Sequence, residues 1–276
     1  MKSKIKDFLC VENKIVIISS VFFWLISHLV FLTTEVLVPK LQNTVDMNSL
    51  FENELSLGRW LIVFLQNLRF GIVSKTFIFF ISLTLIILLT SAIINIFKVK
   101  SKILICIISA LISTFPATSE ILLHTNYADI FILGILFAVL SVYFLLKEKL
   151  IYKLLSIICI VACMAIQPSN LMISLLLVVF KYVIQFYDEN ICEKDKIINK
   201  IILKNSCYIV LAIILYILIT MLISCITGVT INILYNGTSF IPKILETYKL
   251  FFEYLFTDKI ILNTIWHRNI FNMIIL

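Results

Sequence analysis

The chain has 276 residues, of which 61% are hydrophobic and 14% are charged, and its mean hydropathy is +1.09. Because a soluble core could not bury this much apolar surface, the composition predicts an integral membrane protein and excludes a soluble one. The net charge of +7 comes largely from lysines in short clusters between apolar runs, which indicates membrane topology and no nucleic-acid partner.

Apolar runs recur from residue 15 nearly to the end, and several reach the roughly 18 to 20 residues that cross about 30 Å of hydrocarbon. They are apolar on every face, whereas the strands of a membrane barrel alternate. The sequence therefore predicts an all-α fold, one polytopic bundle over residues 1–276 with about seven or eight transmembrane helices. The predicted spans are about 15–33, 76–97, 103–115, 129–146, 154–166, 171–187 and 206–228, with an eighth beginning near 259.

Lysine clusters orient this bundle. Segment 1–14, KVKSK, KEKLIYK and loop 188–205 are rich in lysine, while segment 116–128 and the turn QPSN contain no Lys or Arg. The positive-inside rule places the lysine-rich segments, including the N-terminus, in the cytoplasm. The outer face of the cell membrane then carries 34–75, 116–128 and 229–259. Within the first of these, WLIVFLQNLRFGIV predicts a helix lying along the outer interface.

Acidic residues concentrate in the outer loops and avoid the middle of the spans, where a carboxylate costs about 2.5 to 3.5 kcal/mol. A carboxylate can take the proton from an attacking hydroxyl, and an arginine can hold a departing phosphate through two parallel hydrogen bonds. The pattern is typical of an enzyme that takes a lipid-linked substrate at the outer surface, and solvated loop charges are the alternative. The candidate site residues are Asp46, Glu52, Glu54, Arg59, Trp60, Glu120, His124 and Asp129.

Several of these residues also have plain structural explanations. Asp129, at the start of a predicted span, fits a helix N-cap. Trp60 fits an aromatic anchor at the membrane interface, and His124 fits a loop histidine without a function.

Two stretches, LSLGRWLIVFLQNLRFGIV and FPATSEILLHTNYADIFILGILFAVLSVYFLL, resemble the first two outer-loop regions of bacterial GtrII-type glucosyl transferases. These are membrane enzymes of the GT-C class. The resemblance covers roughly residues 15–190. Its most recognisable pieces are Gly58, Arg59 and Trp60 after an acidic loop, and Pro116 followed by Asp129.

The resemblance implies a GT-C-like bundle that transfers a glucosyl unit, on the outer face, from a polyprenyl-phosphate sugar to a cell-surface glycan. It implies an acidic catalytic residue in the first outer loop and no nucleotide sugar. Asp46 is the first choice for that role, and Glu52 and Glu54 are second, because the adjacent acid pair common in the class is absent. The substrate-binding candidates are Arg59, Trp60, Glu120, His124 and Asp129.

Other functions and partners follow from the same pattern. A transporter or flippase of a lipid-linked sugar is the main alternative, but it needs polar groups along a path, and the predicted spans offer little beyond His28, Asn95 and Lys181. The second alternative is an inactive, truncated transferase, because the chain stops without a polar tail.

The expected partners are the donor, the glycan acceptor and membrane lipids. No cofactor is predicted, and a divalent metal has no support, because the cysteines form no metal-ligand spacing beside a histidine.

Overall fold

The computed structural model describes residues 11–33, 47–68, 74–123, 127–188 and 194–229, all within one compact unit, Met1–Ile231. Every regular element in these ranges is a helix, which confirms the all-α prediction for this part of the chain. Asp46, His124 and the segment after residue 229 lie outside the described residues. In chain order the helices are α1 (Val11–Thr33), α2 (Met47–Ser56), α3 (Trp60–Leu68), α4 (Lys75–Phe97), α5 (Lys102–Thr114), α6 (Pro116–Leu123), α7 (Ala128–Leu145), α8 (Leu150–Ile166), α9 (Asn170–Asp188) and α10 (Lys194–Thr227).

Seven helices coincide with the seven spans predicted before residue 229: α1, α4, α5, α7, α8, α9 and α10. Three segments are long and apolar enough to cross a membrane: Thr76–Phe97, Ala128–Leu145 and Ile202–Thr227. The remaining four helices contain shorter apolar segments. These helices support a membrane protein, while the total of seven or eight crossings stays a prediction, and the eighth predicted span falls outside the described residues.

Three segments that the sequence predicts as loops contain helix: the part of 34–75 before Gly58, where α2 lies, 116–128 and 188–205. In segment 116–128, α6 begins at Pro116, where proline suits the first helical position because the N–H it lacks would be unpaired there. In loop 188–205, α10 begins at Lys194, so its 34 residues span about 51 Å and exceed the roughly 30 Å of hydrocarbon. The hydropathy pattern could not locate the start of α10, because its first residues form helix although the segment is rich in lysine and not continuously apolar.

Helix α7 lies at the centre of the described bundle. It packs against α4 on one side and against α8 and α9 on the other, while α1 and α5 adjoin α4, and α10 adjoins α8. On α7, Leu136 and Val139 pack with α4, whereas Ala138 and Leu145 pack with α8 and α10. A helix that is apolar all round is expected in such a buried position.

Small residues let α8 and α9 approach α7 closely. A Cβ added at Gly134 would lie 2.6 Å from Asn170 Nδ2 and 2.9 Å from Ile166 Cγ2. One turn further along, the Ser174 hydroxyl donates to the Ala138 carbonyl at 3.0 Å. Close backbone approach through glycine, alanine and serine is a common way for helices to associate in membranes.

A buried lysine connects four helices. Lys153, which the sequence analysis placed in the inner loop KEKLIYK, lies in the first turn of α8 and is only 6% exposed. Its ammonium donates to the Leu145 carbonyl at the end of α7 and, at 2.8 Å, to Asn205 Oδ1 of α10. Asn205 donates in turn to the Tyr182 hydroxyl of α9. The loop prediction is wrong for this residue, because its charge is satisfied by hydrogen bonds inside the bundle.

Two of the polar residues expected in the spans bond to backbone carbonyls. His28 Nε2 of α1 lies 2.9 Å from the Ser113 carbonyl oxygen of α5, and the His28 ring packs edge-on against Trp24. Asn95 donates to the Ser91 carbonyl of its own helix at 2.9 Å. Such bonds satisfy polar groups within a helix bundle without any need for a polar path.

Candidate functional site

The turn between α2 and α3 requires a glycine. Gly58 has a φ of 75°, in the left-handed region that side chains with a Cβ disfavour. Its N–H donates to the Leu55 carbonyl at 2.9 Å, and the N–H of Arg59 donates to the Glu54 carbonyl at 2.9 Å. These two bonds form a Schellman motif, which closes the end of a helix. The chain then enters α3 directly at Trp60.

This turn brings the side chains of Arg59 and Glu54 together. Arg59 Nη1 lies 3.4 Å from Glu54 Oε2, and the two side chains are 27% and 19% exposed. A guanidinium carries five N–H donors, and this contact uses one nitrogen, so Arg59 can hold a second acceptor such as a phosphate oxygen. The Arg59 and Glu54 side chains therefore contact each other near the surface and remain partly accessible to solvent.

The two glutamates of α2 have different surroundings. Glu52 is exposed, whereas Glu54 is half-buried against Arg59. Residues two apart on a helix do not face the same way, which explains the difference. Glu54 is thus placed to orient Arg59, and Glu52 faces solvent.

A tyrosine of α10 anchors the same turn. The Tyr216 hydroxyl donates to the Gly58 carbonyl at 3.1 Å. Tyr216 is 5% exposed and belongs to the apolar cluster of α7, α8 and α10. The sequence gives no local signal for this residue, because it lies in the apolar run YIVLAIILYILITMLI, 158 positions from its partner.

Trp60 forms one wall of a small cleft beside the turn. Its indole packs against the cluster that contains Tyr216. The cleft is shallow: its roughly 190 Å³ of empty space includes open solvent and leaves no room to enclose even a water molecule. It is therefore an apolar surface beside the turn and not a ligand pocket. Its lining residues are Leu55, Trp60, Thr220, Ile223, Ser224, Thr227 and Val229.

The structure places Asp129 in the first turn of α7, where it is buried. The N-cap explanation is wrong, because Tyr127 occupies the N-cap position. A carboxylate in the first turn of a helix is still favoured by the helix dipole. The next residue, Ile130, shares an apolar cluster with Ile62 of α3 and Ile166 at the end of α8. That cluster connects the start of α7 with the helix that follows Arg59.

Glu120 belongs to a different part of the bundle. It is exposed on α6, and Leu122, two residues later, packs with Trp24 and Phe79 of α1 and α4. The structure therefore brings Glu54, Arg59 and Trp60 together, places Asp129 next to Ile130, whose cluster includes Ile62 of α3, and leaves Glu120 beside a separate cluster.

In the part of the chain that the structure describes, no group of three or more His, Cys, Asp or Glu side chains is arranged to hold a metal ion. The Arg59 and Glu54 side chains form an ion pair at 3.4 Å. The turn therefore presents the Arg59 cation beside an apolar cleft.

In the part of the chain that the structure describes, apolar helices of membrane length indicate a membrane protein. The sequence model of one family, the glucosyl transferase GtrII family, matches residues 29–276. The chain belongs to this family, which confirms the resemblance found in the sequence. Membership implies a glycosyltransferase with a sugar donor and an acceptor. No curated protein and no solved structure matches the chain.

Proposed function

We propose that this glycosyltransferase moves a hexosyl unit, glucose by its family, from a polyprenyl-phosphate donor to a cell-surface glycan on the outer face of the membrane. The observation that carries the proposal is the Arg59 turn, where a partly exposed cation paired with Glu54 lies beside a shallow apolar cleft. A lipid-linked phosphate has the matching chemistry, because its anionic head needs a cation and its first isoprene units need apolar contact.

In the proposed reaction the acceptor hydroxyl oxygen attacks the anomeric carbon of the donor sugar. The bond from that carbon to the phosphate oxygen breaks, and polyprenyl phosphate leaves with the electron pair. Arg59 binds the departing phosphate, whose negative charge increases as the bond breaks. A carboxylate takes the proton of the acceptor hydroxyl. Asp46 is the preferred base and Glu52 the second, while Glu54 orients Arg59 and is thereby less suited to be the base.

The remaining candidates are assigned to substrate binding. Trp60 contacts the donor at the cleft, and Asp129 contacts sugar hydroxyls near the start of α7. Glu120 and His124 belong to the same predicted outer segment, 116–128, and are proposed to contact the acceptor. These roles need no metal ion.

A GT-C-like bundle of seven or eight spans with a cytoplasmic N-terminus is part of the proposal. Support comes from the lysine-rich segments 1–14, 98–102, 147–153 and 188–205, whereas the short outer connections 116–128 and 167–170 contain no Lys or Arg. In that orientation the α2–α3 turn, the end of α8 and the start of α7 all lie at the outer ends of their helices. A donor in the outer leaflet would meet all three.

The transporter alternative needs polar groups that are free to line a path through the bundle. His28 and Asn95, two of the residues that were expected to line a path, are bonded to backbone carbonyls in the described bundle.

A transfer assay distinguishes the transferase from the transporter. Membranes that contain the protein receive radiolabelled polyprenyl-phosphate glucose and a surface-glycan acceptor, and formation of a labelled glycoside supports the transferase. Movement of label across the bilayer without glycoside formation would favour the transporter.

A further inference from the structure

The Gly58–Arg59 peptide is held at both of its polar atoms. Its carbonyl oxygen accepts a hydrogen bond from the Tyr216 hydroxyl at 3.1 Å. Its N–H donates to the Glu54 carbonyl at 2.9 Å. Because a peptide group is planar, fixing both atoms fixes the orientation of the whole plane, and with it the direction in which the Arg59 side chain leaves the backbone.

The two anchors come from different parts of the chain. Glu54 is local, five residues before Arg59, and belongs to the same turn. Tyr216 is remote, 158 residues from Gly58, and lies on α10. The local bonds close the end of α2, whereas the tyrosine bond sets where that end lies relative to α10.

The tyrosine itself has little freedom to move. It is 5% exposed, and it belongs to an apolar cluster that includes Ile160 and Cys163 of α8 and Ala212 of its own helix. Such packing restricts a side chain to few rotamers. The hydroxyl group is therefore a fixed reference point from which the turn is positioned.

We propose that Tyr216 is a positioning residue for glycosyl transfer: through its hydrogen bond to Gly58 it directs the Arg59 guanidinium toward the donor phosphate. This inference rests on the proposed function, in which Arg59 binds that phosphate. Tyr216 does not touch the substrate in this scheme. It acts on donor affinity through Arg59 alone.

The test is a double-mutant cycle on donor binding. Tyr216→Phe removes only the hydroxyl, and it is compared with Arg59→Ala and with the double variant. The dissociation constant for radiolabelled polyprenyl phosphate is measured for each purified protein, and KM values for donor and acceptor are measured where turnover allows. Binding is used because it needs no catalysis, so the cycle can be completed even if Arg59→Ala is inactive. Tyr182→Phe is the matched control, since it removes another interhelical tyrosine hydroxyl at the Lys153 network.

Loss of one hydrogen bond predicts a roughly three- to tenfold weaker donor affinity for Tyr216→Phe, with an unchanged acceptor KM. In the Arg59→Ala background the same substitution should have no further effect, because the cation that it directs is gone. Tyr182→Phe should bind the donor like the wild type. A merely structural hydroxyl would lower the yield of folded protein without this pattern.

Two results would overturn the inference while leaving the proposed function intact. One is wild-type donor affinity in Tyr216→Phe together with a large loss in Arg59→Ala. The other is an equal loss from Tyr216→Phe in both backgrounds, since the tyrosine would then act independently of Arg59. If Arg59→Ala itself bound and used the donor normally, the proposed function of the turn would fail first, and the inference with it.

Discussion

Arg59 is bonded twice to Glu54. Its backbone N–H donates to the Glu54 carbonyl at 2.9 Å, and its Nη1 lies 3.4 Å from the Glu54 carboxylate. The first bond belongs to the Schellman motif, and the second follows from it, because the turn folds the arginine back over the last turn of α2. The charged pair is thus a product of backbone geometry, which in turn depends on Gly58.

Substitution of Gly58 should therefore disturb the site through the backbone. Gly58→Ala introduces a Cβ at a φ of 75°, which costs on the order of 1–2 kcal/mol. Gly58→Asn is the matched variant, because asparagine tolerates this conformation better. We expect thermal stability in detergent and transfer rate to fall in the order wild type, Gly58→Asn, Gly58→Ala. Equal, wild-type behaviour of both variants would show that the turn conformation is not required.

The close approach at Gly134 predicts a clash that a second substitution relieves. In Gly134→Ala the new methyl group would lie 2.6 Å from Asn170 Nδ2, and overpacking of this kind costs about 1–3 kcal/mol. We expect a lower midpoint of thermal unfolding and partial recovery in the double variant Gly134→Ala, Asn170→Ala. A single variant as stable as the wild type would mean that α7 and α9 are not packed this closely.

The Lys153 network predicts a difference between two neighbouring lysines. Lys153→Met leaves Asn205 Oδ1 and the Leu145 carbonyl without their donor, at a cost of about 1–3 kcal/mol. Lys149, four residues earlier, is exposed, so Lys149→Met should change stability by less than about 0.5 kcal/mol. Thermal unfolding of the two purified variants in the same detergent is the measurement. Equal losses of stability in the two variants would show that burial of Lys153 does not determine its contribution to stability.

The proposed orientation can be tested without any activity. In a background without native cysteines, Glu52→Cys on α2 should react with a membrane-impermeant maleimide in intact cells. Lys100→Cys, in the turn between α4 and α5, should react only after the membrane is permeabilised. Both positions are exposed, so access by the reagent is not limited by burial. The reverse pattern would place the Arg59 turn in the cytoplasm.

The sequence predicts the helices of the described bundle well, because each apolar run is long and carries lysines or turn residues at its ends. It fails where a helix has no apolar signal, as in α6 and the first part of α10. It also misplaces Lys153, because a lysine in a basic cluster resembles a topology signal even when tertiary contacts bury it.

For the site, the sequence predicts the local group but not its long-range support. Glu54, Arg59 and Trp60 stand together in the chain, so their proximity could be expected. The pairing of Arg59 with Glu54 in preference to Glu52 depends on the Gly58 turn, which composition does not show. Tyr216 could not be found, because a tyrosine within an apolar run carries no sign of the distant carbonyl that it binds.

The most direct test of the central claim is the transfer rate of Arg59→Ala, measured with radiolabelled polyprenyl-phosphate glucose and a surface-glycan acceptor. Loss of a charged group that stabilises a departing phosphate predicts a rate about 100-fold or more below the wild type. Lys100→Ala is the control for loss of an exposed positive charge elsewhere, and it should transfer at the wild-type rate. Wild-type transfer by a folded Arg59→Ala protein would contradict the assignment of the phosphate site to this turn.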